Sequence, residues 1–406
     1  MSSSKPAKIL GLFTELIDPA RLGGMLVFNR FFIEALHAAG CDVTSFSEFD
    51  GPKFSDTGYG PLTPCGAGLP GRIRMAIRGL FKGLAIKPDI ILCGHIEYSP
   101  MAVVMKWILR RPMVVICHGT EAWKLNHRRW FVAQADWIVA VSRFTADSLY
   151  RQLPKMPKDR IIVIPNTYDE SRFKLTPPPP GKAGQFHCTP NTRILLTVCR
   201  LNASEGSKGY DLILSALPEI RRKFPDTLYV LVGTGPDEKR IRQRVKTEGL
   251  ESCVRIAGFV PDEEIVRYYA WSDLFVMPSN QEGFGIVFLE AMATGRPALG
   301  GNSDGAAEPL LDGELGFLVN PSDPAAAAGA IIQFFDGKAP PGFYDPKHLS
   351  GRVSEVFGNE KFRSRVASLI DVVMRTAGNG ILRNRSAAFA GGDSLAVPSP
   401  GTPGEG

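Results

Sequence analysis

Two glutamates eight positions apart, Glu282 and Glu290, bracket a Gly-Phe-Gly turn in the stretch SNQEGFGIVFLEAMATGRP that begins at Ser279. The turn opens an apolar run of helical length. A carboxylate near a helix start is a favourable partner for the helix dipole, which accounts for Glu282 but not for Glu290, a turn or more inside. Upstream, Arg200 directly follows the apolar run ILLTVC, and Lys208 stands just before another helical segment. Two fixed cations beside a helix N-terminus make a site for a diphosphate. Taken alone, the pair reads equally well as solvated surface charge. VGTGPDEK, from Val232, invites a dinucleotide-fingerprint reading, but Glu238 stands where the third glycine belongs, so a tight strand-to-helix turn is the better reading. His118 ends the run MVVICHG before a glycine; a lone histidine is usually structural, yet this placement aims it at whatever lies beyond a strand end. No Asp-x-Asp and no His/Cys cluster is present, so the expectation is no metal site and no cofactor.

Short apolar runs alternate with helix-length segments along the chain. KILGLF, DIILCG, MVVICHG, DWIVAVS and RIIVIPN read as buried strands of a first half; TRILLTVCR, LYVLVGTG, VRIAGFV, LFVMPS, RPALGG and GFLVN read as those of a second. Helices are expected over 25–39, 99–110, 209–223, 236–248, 262–271 and 285–294. This alternation is the signature of parallel sheets covered on both faces, and two sets imply two doubly wound domains. The expected organisation is a first domain over 1–173, an extended proline-rich connector over 174–190, a second domain over 191–375 and a disordered tail over 376–406. Residues 55–71 read as a mobile loop. In open parallel sheets ligands gather beyond the carboxyl ends of strands. That rule selects Gly23-Gly24, His118-Gly119, Ser142, Asn166, Arg200, Gly233 to Gly235, Gly258 to Val260 and the Glu282-Gly-Phe-Gly turn, which two facing domains could bring to one cleft.

At 406 residues the chain suits two cores, with an ordinary soluble composition of 44% hydrophobic and 22% charged residues. The net charge of +6 is uneven: residues 1–173 hold 22 Lys+Arg against 15 Asp+Glu, and the rest 25 against 26. The first half therefore favours an anionic surface or substrate. Seven cysteines without a C-x-x-C pair fit a reducing compartment. The N-terminus does not read as a signal peptide, and no run approaches the ~18 apolar residues of a membrane span. The protein is expected in the cytoplasm, at most resting on the inner face of a membrane. One candidate contact is GRIRMAIRGLFKGLAIKPD, from Gly71, where Ile73, Ile77, Leu80 and Leu84 share a helical face flanked by Arg72, Arg78 and Lys82. Such a stripe more often packs on its own sheet than on an anionic membrane.

Glu282-Gly-Phe-Gly with Glu290-Ala-Met-Ala-x-Gly-x-Pro resembles the Glu-x7-Glu signature of retaining GT-B glycosyltransferases, specifically family four. VRIAGFVPDEEIVRYYAWSDLFVMPS before it, DGAAEPLLDGELGFLVNPSDPAA after it, and Arg200 with Lys208-Gly209-Tyr210-Asp211 extend the resemblance, which covers roughly residues 8–370. The chain departs from the family pattern at Pro165-Asn166-Thr167-Tyr168-Asp169, where glycine is common in place of Thr167, and at Asp304-Gly305-Ala306, which has one glycine where two are common. The resemblance implies two Rossmann-like domains, their parallel sheets facing across a cleft. It implies that Glu290 accepts the ribose hydroxyls of a nucleotide sugar, that Glu282 contacts the donor sugar, and that Gly283, Phe284 and Gly285 line the diphosphate. Arg200 and Lys208 would stabilise the leaving diphosphate, His118 would orient the sugar, Gly258 to Val260 would hold the base, and Gly23 and Gly24 would line the site from the first domain. The implied partners are a nucleotide-sugar donor and a glycan or lipid-linked acceptor; the basic first half and its Arg72–Lys82 stripe add an anionic membrane surface as a candidate partner, and nucleic acid is not expected. A nucleotide-sugar epimerase and a two-lobed sugar-binding protein are the competing readings. A nicotinamide dehydrogenase lacks its glycine fingerprint.

Overall fold

The computed structural model describes residues 6–16, 23–50, 60–202 and 208–378, in two compact units. The first combines the described residues up to Thr167 with those from Asn359 onward; the second is Tyr168–Gly358. In the first unit β1 (Lys8–Phe13), β2 (Asp42–Ser47), β3 (Leu62–Pro64), β4 (Ile90–Cys93), β5 (Met113–Cys117), β6 (Trp137–Ala140) and β7 (Ile161–Val163) form one sheet in the order β3-β2-β1-β4-β5-β6-β7. Every pairing is parallel. Strands β4, β5 and β6 are buried throughout, as strands sandwiched between helices must be. β2 and β3 do not announce themselves in the sequence. DVTSFS carries polar residues among its apolar ones, and its Ser45 and Ser47 are nonetheless buried; β3 has only three residues.

The second unit has β8 (Arg193–Val198), β9 (Thr227–Val232), β10 (Val254–Gly258), β11 (Leu274–Met277), β12 (Ala298–Gly301) and β13 (Gly316–Val319), in the order β10-β9-β8-β11-β12-β13 and again all parallel. Numbered within the unit this is 3-2-1-4-5-6, the doubly wound dinucleotide-fold order. Strand order reverses between β8 and β11, so the connections leaving those two parallel strands part to opposite faces and frame a crevice. The six expected helices are found within two residues of their expected ends, at Gly24–Ala38, Ser99–Leu109, Tyr210–Lys223, Glu238–Thr247, Asp262–Trp271 and Ile286–Ala293.

The organisation differs from expectation at three places. The first unit ends at Thr167 rather than at 173, and the helix Asn359–Gly378 belongs to it, not to the second domain or to a tail. Its Phe362 meets Phe28 and Phe32 of helix Gly24–Ala38 edge-on, at 5.5 and 6.4 Å. The proline-rich connector is not a free extended strap but packs on the second unit. Phe186 is buried against Tyr268 and Trp271, and the Trp271 indole donates to the Pro179 carbonyl at 2.8 Å. The stripe of residues 71–89 lies on helix Gly68–Ile86, but Ile73, Ile77 and Leu84 are each more than half exposed, and only Leu80 among the four packs on the core. The first part of the loop expected over 55–71, the residues between Arg200 and Lys208 from 203 to 207, and the tail beyond 378 lie outside the described residues.

Candidate active site

The crevice of the second sheet brings together residues that the sequence holds far apart. Arg200 is exposed two positions beyond β8. Lys208 follows at the start of helix Tyr210–Lys223, and its Nζ lies 2.9 Å from Oε2 of Glu282, which belongs to the loop after β11. Both partners are largely buried, with side-chain exposures of 19% and 17%. Burial works against the lysine's charge, but the Glu282 carboxylate outweighs it and raises the Lys208 pKa, while the nearby charge of Arg200 acts in the opposite sense. Beneath them Cys199 is within electrostatic reach of both Lys208 and Glu282, its thiol pushed up to about 12 by burial.

Two glycines make this arrangement sterically attainable. Gly209 caps helix Tyr210–Lys223 with φ +82°, and a Cβ there would sit 2.5 Å from the Pro278 carbonyl oxygen. Gly285 caps helix Ile286–Ala293 with φ +92°, and a Cβ would sit 2.6 Å from the Phe288 ring. Only glycine adopts such backbone cheaply. As N-caps, Gly209 and Gly285 supply no side chain to their helix starts, and the N-terminus of a helix favours an anion through its dipole.

Glu290 sits inside helix Ile286–Ala293, with Oε2 accepting the Tyr269 hydroxyl at 2.7 Å. Burial raises its pKa to about 7; the Tyr269 hydrogen bond and the Arg172 charge pull the other way. Tyr269 is fully buried and escaped the sequence reading because nothing distinguishes it from Tyr268 beside it. A buried tyrosine requires a partner for its hydroxyl, but only the fold says which. In the sequence Asp304 reads only as part of a turn. It is buried, and its Oδ2 accepts from the Glu282 amide at 2.6 Å and Ser279 Oγ at 3.0 Å, while Oδ1 accepts from the Ala306 amide at 2.9 Å. It therefore fixes the loop that carries Glu282. Burial raises its own pKa to about 6.

Gly283, Phe284 and Gly285 are buried with the loop. The Phe284 side chain, placed among the donor-lining groups by the resemblance, is only 1% exposed and packs edge-on to Phe357 at 5.6 Å. It anchors the turn, and only its main chain can serve a ligand. Gly258 ends β10 with its carbonyl accepting from Gly233 at 2.8 Å, and the Val260 side chain is buried. The Gly233 to Gly235 turn closes on the loop after β8, with the Leu201 amide donating to the Thr234 carbonyl and the Asp237 amide donating to the Leu201 carbonyl, in keeping with a structural turn.

The first unit holds the other candidates. Gly23 precedes helix Gly24–Ala38 in an extended conformation that any residue could adopt. His118, just after β5, stacks on His95 at 6.2 Å and meets Phe28 of that helix edge-on at 5.3 Å. Its Nε2 lies 2.8 Å from the Gly94 carbonyl oxygen. A carbonyl only accepts, so Nε2 carries the proton and Nδ1 is left as an acceptor. Burial lowers the His118 pKa to about 4, so the ring is neutral at physiological pH. These groups follow β1, β4 and β5, around the first sheet's own reversal between β1 and β4. At the first departure from the family pattern, Thr167 is buried without a positive φ, and its Oγ1 meets Asn359 Oδ1 at 3.0 Å.

Both units of the chain resemble known proteins. Residues 188–342 match the family model "Glycosyl transferases group 1", and residues 22–172 match "Glycosyltransferase Family 4". A GDP-mannose-dependent alpha-(1-6)-phosphatidylinositol monomannoside mannosyltransferase of Mycolicibacterium smegmatis is 31% identical over 234 residues, 54% of this chain and 60% of that protein. A glycogen synthase of Mycobacterium tuberculosis is 27% identical over 62% of this chain and 61% of that protein. The chain thus spans about three-fifths of the length of these curated relatives. Sucrose-phosphate synthase from Thermosynechococcus elongatus superposes with a TM-score of 0.75 at 21% identity, over 91% of this chain and all of that one. Anabaena HepE, solved in complex with UDP-glucose, superposes with a TM-score of 0.73 at 20% identity, over 90% and 99% of the two chains. One glycosyltransferase family model matches part of the first parallel-sheet unit and another matches part of the second, so each unit resembles a glycosyltransferase domain, and the chain shares the fold of the solved structures named above.

Proposed function

We propose that the protein is a retaining, metal-independent glycosyltransferase that moves a sugar from a nucleotide-sugar donor to a polysaccharide or glycolipid acceptor. The observation that carries this reading is the Lys208–Glu282 pair at the reversal point of the second sheet, beside two helix starts with glycine N-caps and with Glu290 on the helix beyond. The relatives named above use a GDP-linked sugar or bind a UDP-linked one, which supports either base for the donor.

In this reading the first-turn amides, Arg200 and Lys208 receive the diphosphate. An ammonium has three donors, so Lys208 can keep Glu282 and still reach a phosphate oxygen. Glu290 keeps Tyr269 on one oxygen and takes ribose hydroxyls with its remaining lone pairs. Glu282, held by Asp304, contacts the donor sugar, the Gly258 to Val260 turn holds the base through its main chain, and neutral His118 orients the sugar. The bond from the anomeric carbon to the phosphate oxygen breaks with its electrons leaving on the diphosphate. The acceptor oxygen bonds the same carbon from the same face, and the acceptor proton passes to the departing phosphate. Fixed cations and helix starts stabilise the growing negative charge without reorganisation, and such preorganised electrostatics usually lower a barrier more than any other single effect. A cytoplasmic enzyme at the inner membrane face fits the glycolipid choice of acceptor.

A panel of nucleoside diphosphates and nucleotide sugars, screened by thermal shift and followed by product analysis with glycan and glycolipid acceptors, tests the reading. Stabilisation by one base and transfer with the anomeric configuration kept are expected. Release of an isomerised sugar nucleotide without acceptor would identify an epimerase, and binding of free sugars without nucleotide would identify a sugar-binding protein.

A further inference from the structure

Most exposed large hydrophobic side chains among the described residues gather on one part of the first unit. On helix Gly68–Ile86, Ile73, Ile77, Phe81 and Leu84 follow helical spacing and are 51–69% exposed, with Leu69 at 71% where the helix begins. The opposite, buried face of this helix is Gly71, Met75, Gly79 and Gly83. Those glycines allow close packing: a Cβ on Gly79 would sit 2.8 Å from Met105, and one on Gly83 would sit 2.7 Å from Leu109, both on helix Ser99–Leu109. The helix thus packs through its smallest residues and displays its largest apolar ones, the reverse of an ordinary surface helix. Helix Ser99–Leu109 adds Val104, Trp107 and Ile108 to the display, and Trp107 meets exposed Trp130 edge-on at 5.9 Å. Isolated exposed hydrophobics need no explanation, but a contiguous face marks an interaction site.

Charge selects the occupant. Neither helix contains an acidic residue, and Arg74, Arg78 and Lys82 are exposed along the first. Arg72 does not join them; it turns inward to Glu48 at 3.1 Å and Glu97 at 3.0 Å. Beside Trp130 a cavity of about 610 Å³ is lined by His127, Arg129, Lys155 and Arg160 with no acidic side chain. A second copy docking through the same face would set these like charges against one another. An anionic lipid surface complements both the charge and the apolar stripe, and tryptophan favours the boundary between headgroup and chain.

We propose that this face of the first unit docks on an anionic phospholipid bilayer, with the helix Gly68–Ile86 stripe and Trp107 and Trp130 entering the interface and Arg74, Arg78 and Lys82 meeting lipid phosphates. The docking goes beyond the sugar-transfer reading and does not depend on it. The full chain is tested by cosedimentation with phosphatidylglycerol-containing vesicles and with pure phosphatidylcholine vesicles, at low and high salt. Binding is expected for the anionic vesicles only, weakening steeply as salt screens the contact. The variant Arg74→Ala/Arg78→Ala/Lys82→Ala should bind on the order of 100-fold more weakly, since each cation contributes roughly a fivefold factor. Ile77→Glu/Phe81→Glu should abolish binding; both side chains are already exposed, so the melting temperature and nucleotide binding should stay unchanged. Absence of wild-type binding to anionic vesicles at low salt, equal binding to neutral ones, or unimpaired binding of both variants would overturn the proposal. So would a dimer, seen by sedimentation velocity, that Ile77→Glu/Phe81→Glu dissolves, because the face would then belong to a second copy.

Discussion

Replacing Tyr269 by phenylalanine removes one hydroxyl from a fully buried site and tests whether Glu290 is the ribose acceptor. The hydroxyl donates to Glu290 Oε2 at 2.7 Å and favours the carboxylate, against a burial effect that raises the pKa to about 7. With the folded pKa above the ordinary value of 4.5, the folded protein holds the proton more tightly than the unfolded chain. The free protein therefore loses stability as pH rises from about 4.5 to 7. Donor binding runs in the opposite sense: ribose hydroxyls need an acceptor, so affinity should rise with pH through about 7. A hydrogen bond to a charged group contributes about 1.5–3 kcal/mol. Taking the lower end, the variant's Glu290 pKa rises by about one unit, equivalent to about 1.4 kcal/mol. The ionised fraction at pH 7 falls from about one half to about one tenth, so affinity for the preferred nucleoside diphosphate should drop about fivefold there. At pH 9 the two proteins should agree within about 20%. Isothermal titration calorimetry from pH 5.5 to 9 measures both curves. A wild-type affinity that is flat across this range, or a variant defect of equal size at every pH, would refute the assignment of Glu290 as an ionised ribose acceptor.

Arg200→Ala and Lys208→Ala should each lower kcat/KM by about 2–4 kcal/mol of transition-state stabilisation, the scale of one preorganised donor at developing charge. Both should also weaken nucleoside diphosphate binding, and near-normal steady-state kinetics in both would remove the diphosphate site from Lys208 and Arg200. Transfer activity should survive EDTA, because the positive charge assigned to the leaving group comes from side chains and helix starts; loss of turnover in chelator with rescue by Mn²⁺ or Mg²⁺ would contradict that assignment.

The alternation of apolar runs with amphipathic segments was enough to read the doubly wound class and six helices, because parallel strands buried on both faces leave a continuous apolar imprint. β2 left none: its serines are buried in a strand that composition presents as polar. The reading of Glu282, Glu290, Arg200 and Lys208 as a set came from residue types and spacing, together with the family resemblance. What those symbols do not carry is which groups already hold one another. Lys208 and Glu282 are 74 residues apart and form an ion pair, Tyr269 occupies one oxygen of Glu290, and Asp304 holds the amide of Glu282. Such contacts depend on where strand order reverses, a property of the sheet and not of any local window. Phe284 shows the same limit from the other side, since a residue within a functional motif can face the core.

The helix Gly68–Ile86 makes the division sharpest. The sequence alone determined its existence, its apolar stripe and its lack of acidic residues. It could not determine which side of the helix packs, because both a glycine face and an isoleucine-phenylalanine face satisfy helical periodicity. Tertiary structure decided that the glycines pack against Met105 and Leu109, which sent the large side chains outward and turned Arg72 inward to Glu48 and Glu97. Likewise, the sequence supplied a long C-terminal helix's worth of residues, but only packing of Phe362 on Phe28 and Phe32 assigned that helix to the first unit. Periodicity fixes how often a side chain returns to one face of a helix; the neighbour that fills the space decides which face is buried.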